Sequence, residues 1–138
     1  MARKATSKIE QEMFDALETF FVGKISGNFY PSDCRPADSK VEDAVLTVSK
    51  ATADQIQEGR ARINVFVPDI DNGTGRPVPN KERLDELSSL DELIIDTLNN
   101  SDTDYCFDLS QATETVNAVD IKQHFVNIEI EFKLVTFN

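Results

Sequence analysis

Apolar residues first recur at helical spacing: Ile9, Met13, Leu17, Phe20 and Phe21 share one face of a helix. Ser7 followed by Glu10 has the form of a capping box, so the pattern predicts a helix over residues 6–22, closed by Gly23 and then Gly27-Asn28. FYPSDCRPADSK carries two prolines and several turn formers and reads as an extended connector over the surface, anchored by Phe29 and Tyr30. The period then changes to two. In EDAVLTVSK, Ala44, Leu46 and Val48 alternate with their neighbours, which predicts a strand over 42–50. ATADQIQEG reads as a short polar excursion, a helical turn closed by Gly59. A second strand over 60–67 puts Ile63, Val65 and Val67 on one side and Arg62, Asn64 and Phe66 on the other. Pro68 ends it, because proline has no N–H for the ladder.

Asn80 is placed to cap a helix over 81–98, whose apolar stripe is Leu84, Leu87, Leu90, Ile94 and Leu98. Ser89 with Glu92 repeats the capping-box form inside it and predicts a kink or restart near Ser88. A strand over 105–109, a polar stretch to about Asp120 and a long return strand over 122–137 complete the chain. In the last, Val126, Ile128, Ile130, Phe132 and Leu134 alternate with Asn127, Glu129, Glu131 and Lys133. This succession lacks regular βαβ alternation. It predicts an α+β fold: an antiparallel sheet of about four strands, two main helices packed on it and a long C-terminal strand.

The 138 residues suit a single domain over 1–138, with a flexible basic N-terminus at 1–5 and an exposed loop at 68–80. A strand of some fifteen residues would reach about 50 Å, longer than so small a domain needs. Either its end projects, with Phe137 covered by a partner chain, or bulges and twist wrap it over its own domain. Both readings stay open at the level of sequence.

The net charge of −11 is concentrated: no Lys or Arg lies between Leu84 and Ile121, where ten acids occur. Such a block repels a phosphate backbone, so the electrostatic route to nucleic-acid affinity is missing. It reads either as a solvated face or as a surface that passes near DNA or docks on a basic partner, with Asp102, Asp104, Asp108 and Glu114 as the acidic lumen or docking positions. No apolar run approaches the ~18 residues of a membrane helix and no signal core opens the chain, so use in a cytosol without membrane contact is expected.

The DIDNG stretch invites a calcium reading that ligand counting removes. With Asp69 at loop position 1, Asp71 fits position 3, but Gly73, Thr74 and Asn80 stand at positions 5, 6 and 12. GTGRP lacks the Lys-Ser/Thr of a phosphate loop. A turn is expected, and no metal or cofactor. Cys34 and Cys106 lack metal-ligand spacing and read as free thiols. The alternative functional reading, a small enzyme or regulatory binding module, would have to use Cys34 or Cys106 with the single histidine, His124.

The order of elements, with YPSDCRPADSKVEDAVL, RINVFVPDI and RLDELSSLDELI as matching words, resembles the small tail-terminator and head–tail completion proteins of bacteriophages. The resemblance spans nearly the whole chain. It implies an α+β virion structural protein without enzymatic activity, forming a ring at the head–tail junction or tail end as terminator, connector or collar. It further implies self-association as a hexamer or dodecamer, contacts with other neck, portal or tail proteins, DNA passing at most transiently, and assembly in the bacterial host cytoplasm. Phe66, Pro68, Asp69, Asp71, Arg76, Pro77, Pro79 and Phe137 are the contact residues it suggests.

Overall fold

A computed structural model describes residues 4–52, 56–71, 73, 75–101 and 103–135. Its elements, in order, are α1 (Thr6–Leu17), β1 (Phe29–Tyr30), β2 (Ala44–Ala51), β3 (Ile56–Pro68), β4 (Ile70–Asp71), β5 (Pro77–Val78), α2 (Lys81–Ser88), α3 (Asp91–Asn99), β6 (Tyr105–Leu109), β7 (Glu114–Ala118), a 3-10 turn at Val119–Ile121 and β8 (Gln123–Val135). The main sheet runs β1-β2-β3-β8-β6, with β7 also on β8, and β4 pairs β5 in a separate small hairpin. The α+β class holds. The sheet has six strands rather than four and is mixed, because the two-residue β1 runs parallel to β2.

β8 is the spine of this sheet. It pairs with β3 along its whole length, Gln123 to Val135 against Pro68 to Ile56, and its other edge is shared by β6 and β7 in tandem. Over residues 123–135 the strand therefore lies within its own sheet and does not project; 136–138, including Phe137, lie outside the described residues. The polar stretch after Leu109 contains β7, which the sequence hides because ETVNA is half polar and mostly exposed.

One face of the sheet is apolar and carries the helices. Leu46, Ala61, Ile63, Val65, Val126, Ile128 and Ile130 are all fully buried against Ile9, Met13 and Leu17 of α1 and Leu84, Leu87, Ile94 and Leu98 of α2 and α3. α1 lies on β2, α2 on β8 and α3 on β6. At one end, Phe132 packs with Tyr105 and Phe107 and covers Gly59, where a Cβ would come within 2.5 Å of the Phe132 ring and 2.2 Å of the Lys50 carbonyl oxygen. Gly59 is thus fixed by close approach inside a strand. The helical turn expected there is instead the start of β3 from Ile56, while 53–55 lie outside the described residues.

The helices end where local hydrogen bonds tighten. α1 stops at Leu17, five residues early, because Phe20 N–H bonds Leu17 C=O and Lys24 N–H bonds Phe21 C=O, a 3-10-like winding down to Gly23 at φ 79°. Neither capping box forms. Ala5 caps α1 without a side chain, and Glu10 instead accepts the Val48 N–H at 3.3 Å on the outer edge of β2. The long second helix is broken between Ser88 and Asp91 as expected, though its restart has no side-chain cap. Asn80 does cap α2, accepting the Arg83 N–H at 3.3 Å. Lys4, inside the expected flexible tail, exchanges two backbone hydrogen bonds with the buried Gln57 side chain at 3.1 and 2.7 Å.

Candidate functional site

Two consecutive acids, Glu42 and Asp43, organise the region between the helices and the sheet. Asp43 is fully buried. Its carboxylate accepts from Arg35 Nε at 2.9 Å, from the Asn28 N–H at 2.8 Å and from the Ser39 hydroxyl. Arg35 goes on to donate to Gln123 Oε1 at 2.9 Å, and Gln123 Nε2 donates to the Ser39 carbonyl at 2.8 Å. The guanidinium also lies over the Phe66 ring, 4.1 Å from its centroid. The proline-rich connector is thereby held on the sheet by charge-assisted bonds whose members lie up to 88 residues apart in sequence.

Glu42 faces the other way and takes Arg83 of α2 through both oxygens, at 2.6 and 2.8 Å. Arg83 also donates to the Lys24 carbonyl and to Glu86. The hydrogen bond to Glu42 outweighs partial burial and holds the Arg83 guanidinium pKa above its ordinary value. The words that carry the phage-protein resemblance, RP, SK and ED, therefore supply Arg35, Ser39, Glu42 and Asp43 to one clamp.

From this clamp β3 runs out to the arm at 69–79. DIDNG is a turn: Asp71 Oδ1 accepts the Gly73 N–H at 2.8 Å and the Gly75 N–H at 3.4 Å, with both glycines at positive φ. β4 and β5 make the arm a short hairpin, and Ile70, Asp71, Arg76, Pro77 and Pro79 are exposed on it. Of the expected contact residues, Phe66 and Pro68 lie in β3 within the sheet. Phe66 lies between Arg35 and Phe125, the two rings 5.1 Å apart, and Pro68 pairs with Gln123.

Asp69 anchors the arm's base. It lies 2.7 Å from His124 Nδ1, both side chains largely buried, and its N–H bonds the Lys122 carbonyl. His124 is thus matched with a carboxylate. Cys106 is exposed on β6 opposite Lys133, nine positions along β8 from His124 or about 30 Å at the usual strand rise, and on the other face. Cys34 is exposed in the connector and makes no hydrogen bond to His124 among the described residues. The thiol–imidazole pairing required by the enzyme reading is not assembled by Cys106.

The acidic stretch does not stay together. Asp85, Glu86, Glu92 and Asp96 point away from the core on the helix layer, whereas Asp108 alternates with buried Phe107 and faces the opposite, uncovered side of the sheet. Asp104 and Glu114 are exposed, the latter paired opposite Asn127; Asp102 lies outside the described residues. Among the described residues no three His, Cys, Asp or Glu side chains gather as a metal site would need. No helix there is long and apolar enough to cross a membrane.

Among the described residues, the face of the sheet away from the helices carries no covering layer beyond the connector. It holds two shallow clefts, one of about 640 Å³ lined by Lys50, Glu58, Arg60, Cys106, Asp108, Glu131 and Lys133, the other beside Arg35, Arg62, Asn64 and Phe66. Comparison of the chain with protein-family models gives no match, and comparison with curated proteins gives none.

Proposed function

We propose that this chain is a structural protein of a tailed-bacteriophage virion that forms an oligomeric ring at the head–tail junction or tail end, acting by contact and not by catalysis. The observation that carries the reading is the clamp: the residues responsible for the resemblance, Arg35, Ser39, Glu42 and Asp43, fix a connector and a helix onto a sheet. Their role is rigidity, which suits a part that must present fixed surfaces to neighbours.

A closed ring needs two different faces on one subunit. The exposed hairpin at 69–79, with Arg76 free of partners among the described residues, supplies one. The acidic solvent side of α2 and α3, with Glu82, Asp85 and Glu92, is a complementary second. In this reading a hexamer or dodecamer joins portal or tail neighbours, and exposed acids near its lumen let DNA pass without adhering.

Composition of purified virions tests the proposal. The protein should be present in a small fixed copy number and appear as annuli by negative stain when assembled. Its absence from virions ends the structural reading.

A further inference from the structure

We infer that the part of this sheet face left open by the connector is a docking surface for a second copy of the same chain, related by a two-fold axis running along the strands between β3 and β8. The inference rests on the arrangement of this face and is independent of the ring reading.

The row through Arg60 carries the argument. Backbone register sets Lys50 beside Arg60, Arg60 beside Glu131, and Glu131 beside Asp108, across β2, β3, β8 and β6. All four side chains line the same cleft. The row reads plus, plus, minus, minus. Like charges directly opposite each other on neighbouring strands destabilise a sheet unless something of opposite charge covers them.

The adjacent rows share the pattern. Arg62 stands opposite Glu129 and Glu58 opposite Lys133, so each row carries opposite signs on β3 and β8. Only Glu58 and Lys133 close into an ion pair, at 3.6 Å; among the described residues the two Arg–Glu rows do not. Next along, Asn64 faces Asn127, and the Oδ1 atom of each is buried without a hydrogen-bond partner. Buried acceptors left in this state are uncommon and costly.

A two-fold axis along the strands exchanges β3 with β8 while leaving each row at its own height. It sets Arg60 of one copy over Glu131 of the other, Arg62 over Glu129, Lys50 over Asp108 and Glu58 over Lys133. Each of the three charged rows is complementary to its own image, which is the requirement of an isologous interface. The connector occupies the Phe66–Phe125 end of this face, so the contact is the patch of charged rows from Glu58 to Arg62 on β3 and Glu129 to Lys133 on β8, at the small end of protein interfaces. The two copies would meet over these rows, beyond the connectors, through a polar and hydrated contact.

A charge-swap experiment on the full chain tests this, with mass measured by light scattering during sizing. The wild type should give a dimer that weakens with added salt. Arg60→Glu with Arg62→Glu makes both strands acidic, and Glu129→Arg with Glu131→Arg makes both basic, so each variant alone should be monomeric. Mixing the two should restore a dimer containing one of each. Circular dichroism establishes that the variants fold. Should either fail to fold, Arg60→Ala with Arg62→Ala replaces it and should weaken wild-type self-association tenfold or more. A wild type that is monomeric at about 100 µM, or swap variants that keep its mass, overturns the inference. A chain present in virions whose swaps leave its mass unchanged would retain the ring reading and lose this one.

Discussion

Asp43 and Arg35 form the one ion pair in which a fully buried carboxylate is met by a nearly buried guanidinium, 2.9 Å from Oδ2 to Nε, among the described residues. The pair joins the connector to the sheet, since Arg35 reaches Gln123 of β8 and the Asp43 carbonyl takes the Phe66 N–H of β3 at 2.8 Å. Removing one partner of a buried pair leaves an uncompensated charge, which costs about 3–5 kcal/mol. Arg35→Ala should therefore lower the unfolding free energy, measured by urea titration, by about 3–5 kcal/mol. Arg83→Ala, at a pair in part open to solvent, should cost less. Equal losses in the two variants would contradict the distinction drawn between the clamp's halves.

At Phe107 the far edge of the sheet is met by a side chain of the helix layer. Asn99, just before the end of the helix layer, donates from Nδ2 to the Phe107 carbonyl at 2.9 Å and accepts the Phe107 N–H at 2.8 Å, as a neighbouring strand would. Asn99→Ala should cost about 1–3 kcal/mol through two unsatisfied backbone groups. The sharper readout is local: the Phe107 amide should exchange with solvent much faster while amides in β3 keep their protection.

Near the start of β3, Gly59 has no room for a side chain, its Cβ position being 2.2 Å from the Lys50 carbonyl oxygen. Gly59→Ala must displace both the Lys50 carbonyl and the Phe132 ring, so a loss of about 1–3 kcal/mol is expected from overpacking. Phe132→Ala opens the same place from the other side and should cost about 3–5 kcal/mol. The double variant should be less destabilised than the sum, because the methyl enters space that the ring vacated. Thermal melts of the three variants supply the comparison.

What the sequence made legible follows physical range. The alternation from Val126 to Phe132 and the stripe from Leu84 to Leu98 are local periodicities, and both appear where expected. The cap by Asn80 is equally local, bonding three residues ahead. Ser7 and Glu10 have the same spacing yet form no box, because Glu10 meets a better donor 38 residues away in Val48 N–H. The clamp was hidden for that reason too: nothing in the spacing of Arg35, Asp43 and Gln123 shows that folding brings them together. β7 escaped because its exposed residues give no alternation to read. The carboxylate partner of His124, Asp69, stands 55 residues earlier, and only the pairing of β3 with β8 brings the two together.

Alkaline titration bears on the N-terminal end of the fold. Burial raises the Tyr105 pKa, helped by the Glu12 charge. Burial works to lower the pKa of Lys4, but its hydrogen bond to Glu12 at 3.0 Å and the neighbouring Tyr105 outweigh that and leave it raised. Both groups hold their protons more tightly folded than unfolded. Their contribution is thus fully present below the unfolded pKa values and is lost as pH rises through the folded ones. Stability should fall from about pH 10 upward, the ordinary range of Tyr and Lys. In a Tyr30→Phe variant the remaining tyrosinate absorbance should appear above the ordinary tyrosine midpoint. A normal midpoint would mean that Tyr105 is open to water.

The arm offers the test that separates its base from its tip. Asp69 is largely buried against His124, whereas Arg76 is exposed at the hairpin's turn. Asp69→Ala should leave His124 without its partner, destabilise the chain by about 1–3 kcal/mol and speed amide exchange in residues 70–79. Arg76→Glu should leave stability within about 0.5 kcal/mol of wild type, as exposed substitutions usually do. In the proposed ring it places an acid against the acidic side of a neighbour's α2 and α3, and like charges across a contact are strongly disfavoured. Assembly into annuli should therefore fail for Arg76→Glu while the subunit remains folded. If annuli form normally, the arm's tip is not the contact, and the heterologous face must be sought elsewhere on the subunit.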